Sequence, residues 1–389
     1  LDIWNGANSV SAEAAEYVSR TGAQIDVIEA TQAVASVSGE LTNMASPMAN
    51  IAPALVLGVE YRENSASIRP DSVLGPDVRG FNQSLPIEGS FDVYEFFTEV
   101  DVPLITDRPG IQSLNFTGAF RMSDYSTVGN TQTYAAGLGW EPVDGLRFRT
   151  QYNRAVRAPN VGDLFSPATN GFPGATDPCS GGLGSFDSDV IVANCIASGV
   201  PAASVGTPFQ SNAQIEALFG GNANVDEETA DTFTIGAVWQ PNFISGFTMQ
   251  VDYYNIEIED AIATPSLQNL LDECYRQDIQ SACAFFAGAR NPSTGEMANP
   301  FMPELFSSNL AVFEAEGVDV RVDYMWDAEQ MGLSPDLGSF SINYYSTFTI
   351  GNGYQTSEVA GFVACEGLFS GQCGEPTPEY KHVTQASWY

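Results

Sequence analysis

LRFRTQYNRAVRAPNVGDLF, residues 146–165, is the stretch whose reading decides the fold. Leu146, Phe148, Thr150 and Tyr152 fall on one side of an extended chain, and Arg147, Arg149, Gln151 and Asn153 on the other. A period of two, with one oily and one wet side, marks a strand whose faces meet different media. The oily side ends in Tyr152, a residue type that favours membrane–water boundaries. Pro159 has no N–H for a ladder and biases Ala158 away from helix, so the strand is expected to stop there. The next comparable strand comes only after residues 158–226, far beyond an ordinary connection.

The same unit repeats in both directions. Upstream, strands are expected at 24–41 and 54–69, the second with Leu55, Leu57, Val59 and Tyr61 opposing Val56, Gly58, Glu60 and Arg62. A further pair follows. In one member Tyr94, Phe96, Thr98, Val100, Val102 and Leu104 oppose Glu95, Phe97, Glu99 and Asp101. In the other, Leu114, Phe116, Gly118 and Phe120 oppose Asn115, Thr117, Ala119 and Arg121. Carboxylates on one strand face cannot enter hydrocarbon, where a charge costs about 2–4 kcal/mol at mid-depth, so that face must meet water. Residues 131–140 add another strand, ending in Trp140.

Downstream, Phe233, Ile235, Ala237 and Trp239 share a face, as do Phe247, Met249, Val251 and Tyr253. Beyond Tyr253 the pattern inverts, with Ile256 and Ile258 apolar and Glu257 and Glu259 polar. A β-bulge near Tyr254, or departure of the strand from the membrane, accounts for this equally well. Val318, Val320, Val322, Tyr324 and Trp326 alternate with Asp319, Arg321, Asp323 and Met325; Phe340–Ile350 and a strand from Lys381 complete roughly a dozen candidates. Residues 266–287 have helical spacing, and Ser11 reads as the N-cap of a short helix.

Loop length alternates. Short turns at 106–110 and 141–145 are interleaved with large loops at 69–90, 158–226, 264–308 and 351–380. Transmembrane β-barrels sort their connections in this way, whereas a soluble sandwich has no reason to.

Composition narrows the classes. The chain has 389 residues, with 14 Lys plus Arg against 48 Asp plus Glu, a net charge of −34. Such a surface repels nucleic acid and anionic lipid surfaces, so no nucleic-acid partner is expected. Hydrophobic residues make up 44% and charged residues 16%, too apolar for disorder. No apolar run is long enough for a membrane-spanning helix. This does not exclude a barrel, whose strands signal weakly one by one.

The six cysteines lie in proposed loops as three sequence-local pairs: Cys179 with Cys195, Cys274 with Cys283, and Cys365 with Cys373. That arrangement points to disulfides in an oxidising compartment. Six cysteines allow 15 connectivities, and free thiols remain a second reading. A metal site is disfavoured, because the spacing is wrong and His382 is the only histidine.

No catalytic site emerges. Acidic groups such as Glu257/Glu259/Asp260, Asp226/Glu227/Glu228 and Asp187/Asp189 read as solvated loops or lumen lining. A glycosidase needs two carboxylates held about 5–10 Å apart across a cleft, and no local pattern fixes one. A full calcium loop, a nucleophile elbow and a phosphate-binding loop are all missing. Arg154 and Arg157 are the candidate substrate-binding cations, with contact to an anionic cargo or to a plug as the functional reading. Pairing with acids on neighbouring strands is the competing reading. Phe172 and Phe186 are the candidate aromatic cargo contacts, whereas Trp140, Tyr152, Trp239, Tyr324 and Trp326 read as interfacial belts.

These motifs carry a family resemblance. YNRAVRAPNVGDLFSP resembles the mid-barrel signature of TonB-dependent outer-membrane receptors. SFDVYEFFTEVDVPL with LNFTGAFRMSDYSTV, and ETADTFTIGAVWQP with VDYYNIEIEDAI, resemble strand pairs of the same group. The resemblance implies an all-β, antiparallel, up-and-down barrel, present here as an internal fragment (1–389) with about half of about 22 strands and without the plug domain. It further implies a monomeric barrel in the outer membrane of a Gram-negative bacterium, its loops extracellular. Function would be active uptake of a scarce nutrient such as a siderophore, vitamin or oligosaccharide, driven by the TonB complex through the plug, with no enzyme activity, cofactor or metal. The alternatives are a secreted acidic β-rich glycan-binding or hydrolase module, and a passive porin.

Overall fold

The structure is a computed structural model that describes residues 10–75, 82–181, 189–210, 212–355, 361–370, 373–374 and 376–389. A short helix, α1 (Ala12–Val18), is capped by Ser11, whose hydroxyl accepts from Ala14 N at 3.2 Å. An antiparallel meander follows: β1 (Gln24–Glu40), β2 (Ala54–Pro70), β3 (Ile87–Arg108), β4 (Ile111–Tyr125), β5 (Gly129–Val143) and β6 (Leu146–Arg157). The first large loop contains α2 (Val161–Phe165), β7 (Thr169–Gly171), α3 (Asp189–Ala197) and β8 (Ala217–Gly220). The meander resumes with β9 (Glu228–Trp239) and β10 (Phe247–Ala263). The second large loop holds α4 (Leu267–Gln277), α5 (Gln280–Ala284) and β11 (Glu304–Phe306). The main sheet ends with β12 (Ser308–Asp327), β13 (Ser339–Gln355), β14 (Val363–Ala364) and β15 (Tyr380–Trp388).

Each long strand pairs with its neighbour in the sheet, so β6 pairs with β9 in register from Leu146↔Trp239 to Arg157↔Glu228. Connections at one end are short, as at Asp144-Gly145 between β5 and β6; those at the other hold both large loops. Gly145 has φ +80°, and a Cβ there would collide with the Gln240 carbonyl of the adjacent turn. A left-handed backbone without a side chain is what so close a pair of turns requires.

The two faces of the sheet differ as the alternation implies. Polar residues from β4, β6, β9, β10 and β12 line one concavity of about 620 Å³, bordered by Asn115, Thr117, Arg149, Thr234, Asp252 and Asp319. That face is therefore the inner, concave one. Apolar residues occupy the convex face, where Phe116 is 36%, Leu138 41%, Phe148 38% and Ile235 49% exposed. At the short-turn end, aromatic rings touch from strand to strand at Trp239–Phe247 (5.7 Å), Phe247–Tyr324 (6.1 Å) and Trp326–Phe340 (5.8 Å), and along β12 at Tyr324–Trp326 (4.7 Å). A second belt nearer the loops includes Tyr61–Tyr94 and Tyr134–Tyr152. Among the described residues, no helix is long and apolar enough to cross a membrane.

The expected bulge near Tyr254 is not found. β10 pairs with β12 in unbroken register from Phe247↔Tyr324 to Ile258↔Phe313, and the shift lies between Ile258 and Ala261. The polarity change needs no inserted residue. Ile256 and Ile258 stay on the concave face, which turns apolar at the rim beneath the second large loop. The long helix expected over 266–287 is broken at Asp278, which adopts φ 58° and ends α4.

The buried hydrophobic core sits in the loops and not between the barrel strands. Cys179, Ile191, Cys195, Val200 and Ile215 of the first loop pack with Leu271, Cys274, Tyr275, Phe286, Met297 and Leu305 of the second. A small sheet also joins the loops, since β8 pairs antiparallel with β7 and parallel with β11. The two insertions form one module over the concave face.

Candidate functional site

The site begins on the inner wall. Glu60 on β2 and Glu95 on β3 are both buried beside Arg121 on β4, whose Nη1 donates to them at 3.3 and 2.8 Å. Gln32 Nε2 donates to Glu60 at 2.6 Å, and Ser123 Oγ to Glu95 at 2.6 Å. The Arg121 guanidinium also lies over the Phe97 ring, 5.0 Å from its centroid. Further round the wall, Arg149 on β6 reaches Asp252 on β10 with bonds of 2.8, 2.9 and 3.0 Å. The pair crosses β9 at Gly236, where a Cβ would collide with the Asp252 carboxylate. Glycine at that point lets a charge pair span a strand.

At the mouth, Arg157 extends from the concave face of β6. Its Nη2 donates to Glu228 at 2.9 Å and its Nη1 to Asp163 at 3.2 Å. Asp163 closes a capping box with Asn160 at the start of α2. Phe165, the last residue of α2, fills the space beside Gly89 of β3. α2 therefore leans inward from β6 across the mouth, and Gly221 and Asn222 return over it, with Asn222 N donating to Asp163 O at 2.8 Å.

Arg154 is placed differently from the expectation. Alternation along β6 sets it with Tyr152 on the convex face, away from the lumen, and its Nε donates to Asp231 at 2.9 Å. Tyr152 donates to the same carboxylate at 2.7 Å. Both candidate arginines are thus neutralised by acids on β9, and they lie on opposite faces of the wall. Phe172 is 43% exposed just after β7. Phe186 lies outside the described residues.

Within the module, Arg290 and Asp177 form a pair with no exposed side-chain surface. Its bonds measure 2.8 and 2.9 Å, and Arg290 Nε donates to the Tyr275 hydroxyl at 3.0 Å. Burial works against the charge on Arg290, but Asp177 overcomes it and raises the guanidinium pKa. Burial is also the main cause that raises the Tyr275 hydroxyl, against the pull of Arg290. Sequence-local disulfides Cys179–Cys195, Cys274–Cys283 and Cys365–Cys373 staple the loops. No local sequence pattern marks this buried polar network, although Arg276 and Arg290 are the only basic residues in 158–226 and 264–308. Among the described residues, no group of three or more His, Cys, Asp or Glu is arranged to hold a metal.

The other side of the mouth is apolar. Phe313 pairs with Tyr354 across β12 and β13, their rings 6.2 Å apart, and both face α4 across a crevice of about 220 Å³.

A wall with a greasy convex face, a charged concave face and a folded module at one end has a matching family model. Residues 5–368 match the β-barrel of TonB-dependent receptor-like proteins. The chain belongs to that family. Its members are receptors and transporters of the outer membrane. Among solved structures, a ferric enterobactin receptor of Pseudomonas aeruginosa in complex with enterobactin superposes with a TM-score of 0.54 at 15% identity, over 93% of this chain and 40% of that one. A siderophore receptor of Acinetobacter baumannii gives 0.53 at 12% identity, again over 93% and 40%. At such identities the likeness concerns the fold. The chain spans about 40% of the length of these receptors.

Proposed function

We propose that the chain forms wall and mouth of an outer-membrane receptor for TonB-dependent, active uptake of a scarce nutrient. The observation that carries this reading is the division of the sheet: outward rings in two belts, with the Arg121–Glu60/Glu95 and Arg149–Asp252 ion pairs on the opposite face. Outward aromatic belts suit lipid contact, and the secreted glycan-binding or hydrolase alternative gives no reason for them. In this reading the module lies on the extracellular side, the concave wall borders a plug, and cargo enters beside α2 and α4. Siderophore, vitamin and oligosaccharide remain the candidate classes. Arg157 belongs to the mouth, where it orders α2. Arg154 braces β6 against β9 at the lipid boundary. Phe172 is a cargo contact from the module.

Deletion of the gene followed by growth on single limiting nutrients identifies the cargo. Uptake of that cargo is expected to stop when the proton gradient is collapsed. Uptake that persists under collapse would support the passive porin instead.

A further inference from the structure

The mouth carries a charge bias that bears on the cargo. Residues 158–226, 264–308 and 351–380 contain six, five and four acidic residues, against two arginines in all. Both arginines are occupied, Arg276 by Asp272 at 2.7 Å and Arg290 by the buried Asp177. An anionic iron chelate approaching these three loops meets net repulsion, whereas a cation is steered inward. Beneath the loops lies the crevice of about 220 Å³ between α4, β12 and β13. Leu270, Leu310, Phe313 and Tyr354 supply apolar and aromatic walls, and Asn269 and Glu273 the polar ones. Glu273 is only 3% exposed. A carboxylate accepts several hydrogen bonds, so an internal partner does not exhaust it. Aromatic faces beside a desolvated carboxylate favour a cation with an apolar body.

We infer that this crevice is a subsite for an ammonium group borne on an aryl or alkyl body, and that the receptor selects cationic over anionic cargo. The inference rests on the uptake reading above and deepens it by naming the cargo's charge. Leu270 of α4 and Leu310 of β12 give the crevice its apolar floor. The ammonium sits toward Glu273 and its body against Phe313 and Tyr354.

The test uses the full-length receptor in detergent and three probes with one ring and different charge: benzyltrimethylammonium, benzyl alcohol and phenylacetate. Binding is measured at equilibrium by saturation-transfer NMR, so it does not depend on energised uptake and can succeed or fail independently of it. The cation is expected to bind about tenfold more tightly than the alcohol, with phenylacetate weakest. Glu273→Gln is expected to remove that preference, and Leu310→Trp, which fills the crevice, to abolish binding of all three. Tyr354→Leu provides a second variant that weakens the cation and spares the alcohol, should Glu273→Gln fail to fold. Phenylacetate binding as well as the cation, cation binding unaffected by Leu310→Trp, or no saturable binding of any probe overturns the inference.

Discussion

The Arg290 guanidinium meets the Asp177 carboxylate across 113 residues of chain, and neither side chain is exposed to solvent. This pair locks one large loop to the other. Removing one member strands a buried charge, at a cost of about 3–5 kcal/mol. Asp177→Ala is therefore expected to open the module while the barrel wall stays folded. Hydrogen exchange should rise throughout α3, α4 and β8 together, and not in one loop alone. Replacing both members with apolar residues of similar volume should restore much of the protection.

Tyr275 ties the same network to pH. Its hydroxyl pKa is raised in the folded state, burial being the main cause. A raised pKa contributes stability that is complete below the unfolded value, which is 10.0 for tyrosine, and is lost as pH rises through the higher folded value. The module is expected to loosen above about pH 10, where the unfolded chain gives up this proton first. Tyr275→Phe should remove that part of the alkaline transition. Exchange or tryptic cleavage within 264–308, followed from pH 8 to pH 11.5, measures it.

The wall allows a parity experiment. Phe116 faces outward on β4, and Thr117 faces the concavity one residue on. Phe116→Arg is expected to cost about 2–4 kcal/mol of folding stability in a bilayer. Thr117→Arg, a neighbour in sequence, should change it by about 0.5 kcal/mol or less. Guanidinium unfolding in lipid vesicles decides, and equal penalties at the two positions would refute the assignment of faces.

Arg121 holds two carboxylates whose side chains are 6% and 2% exposed. Arg121→Ala leaves Glu60 and Glu95 with Arg62, which approaches them only to 3.5 and 3.8 Å. We expect a loss of about 3 kcal/mol, read as a lower temperature for loss of the compact band on semi-native electrophoresis. Arg121→Met combined with Glu60→Gln and Glu95→Gln should recover part of it.

Strand positions were legible in the sequence because their signals are local. Strands expected at 24–41 and 54–69 are found at Gln24–Glu40 and Ala54–Pro70. Pro159 ended β6 for the stated reason. The side occupied by Arg154 is legible too, by counting two residues on from Tyr152, whereas Arg157 falls on the opposite face three residues later. The inversion after Tyr253 misled for a different reason. Alternation reports the medium on each face, and at the rim the concave side itself turns apolar, with Ile256 of β10 lining it and Phe313 of β12 facing α4. No inserted residue is needed. The joining of the two large loops was out of reach, since β8 meets β11 and Asp177 meets Arg290 over separations that no local pattern encodes.

The placement of the apolar core in the two loops together has a bearing on how such receptors diversify. Residues 158–226 transplanted alone into a sister barrel would arrive with part of a core and two strands of a three-stranded sheet, and 264–308 with the rest of the core and the third strand. Exchange of ligand preference by recombination therefore has to move β9 and β10 along with both insertions, as one contiguous cassette running from the end of β6 to the start of β12.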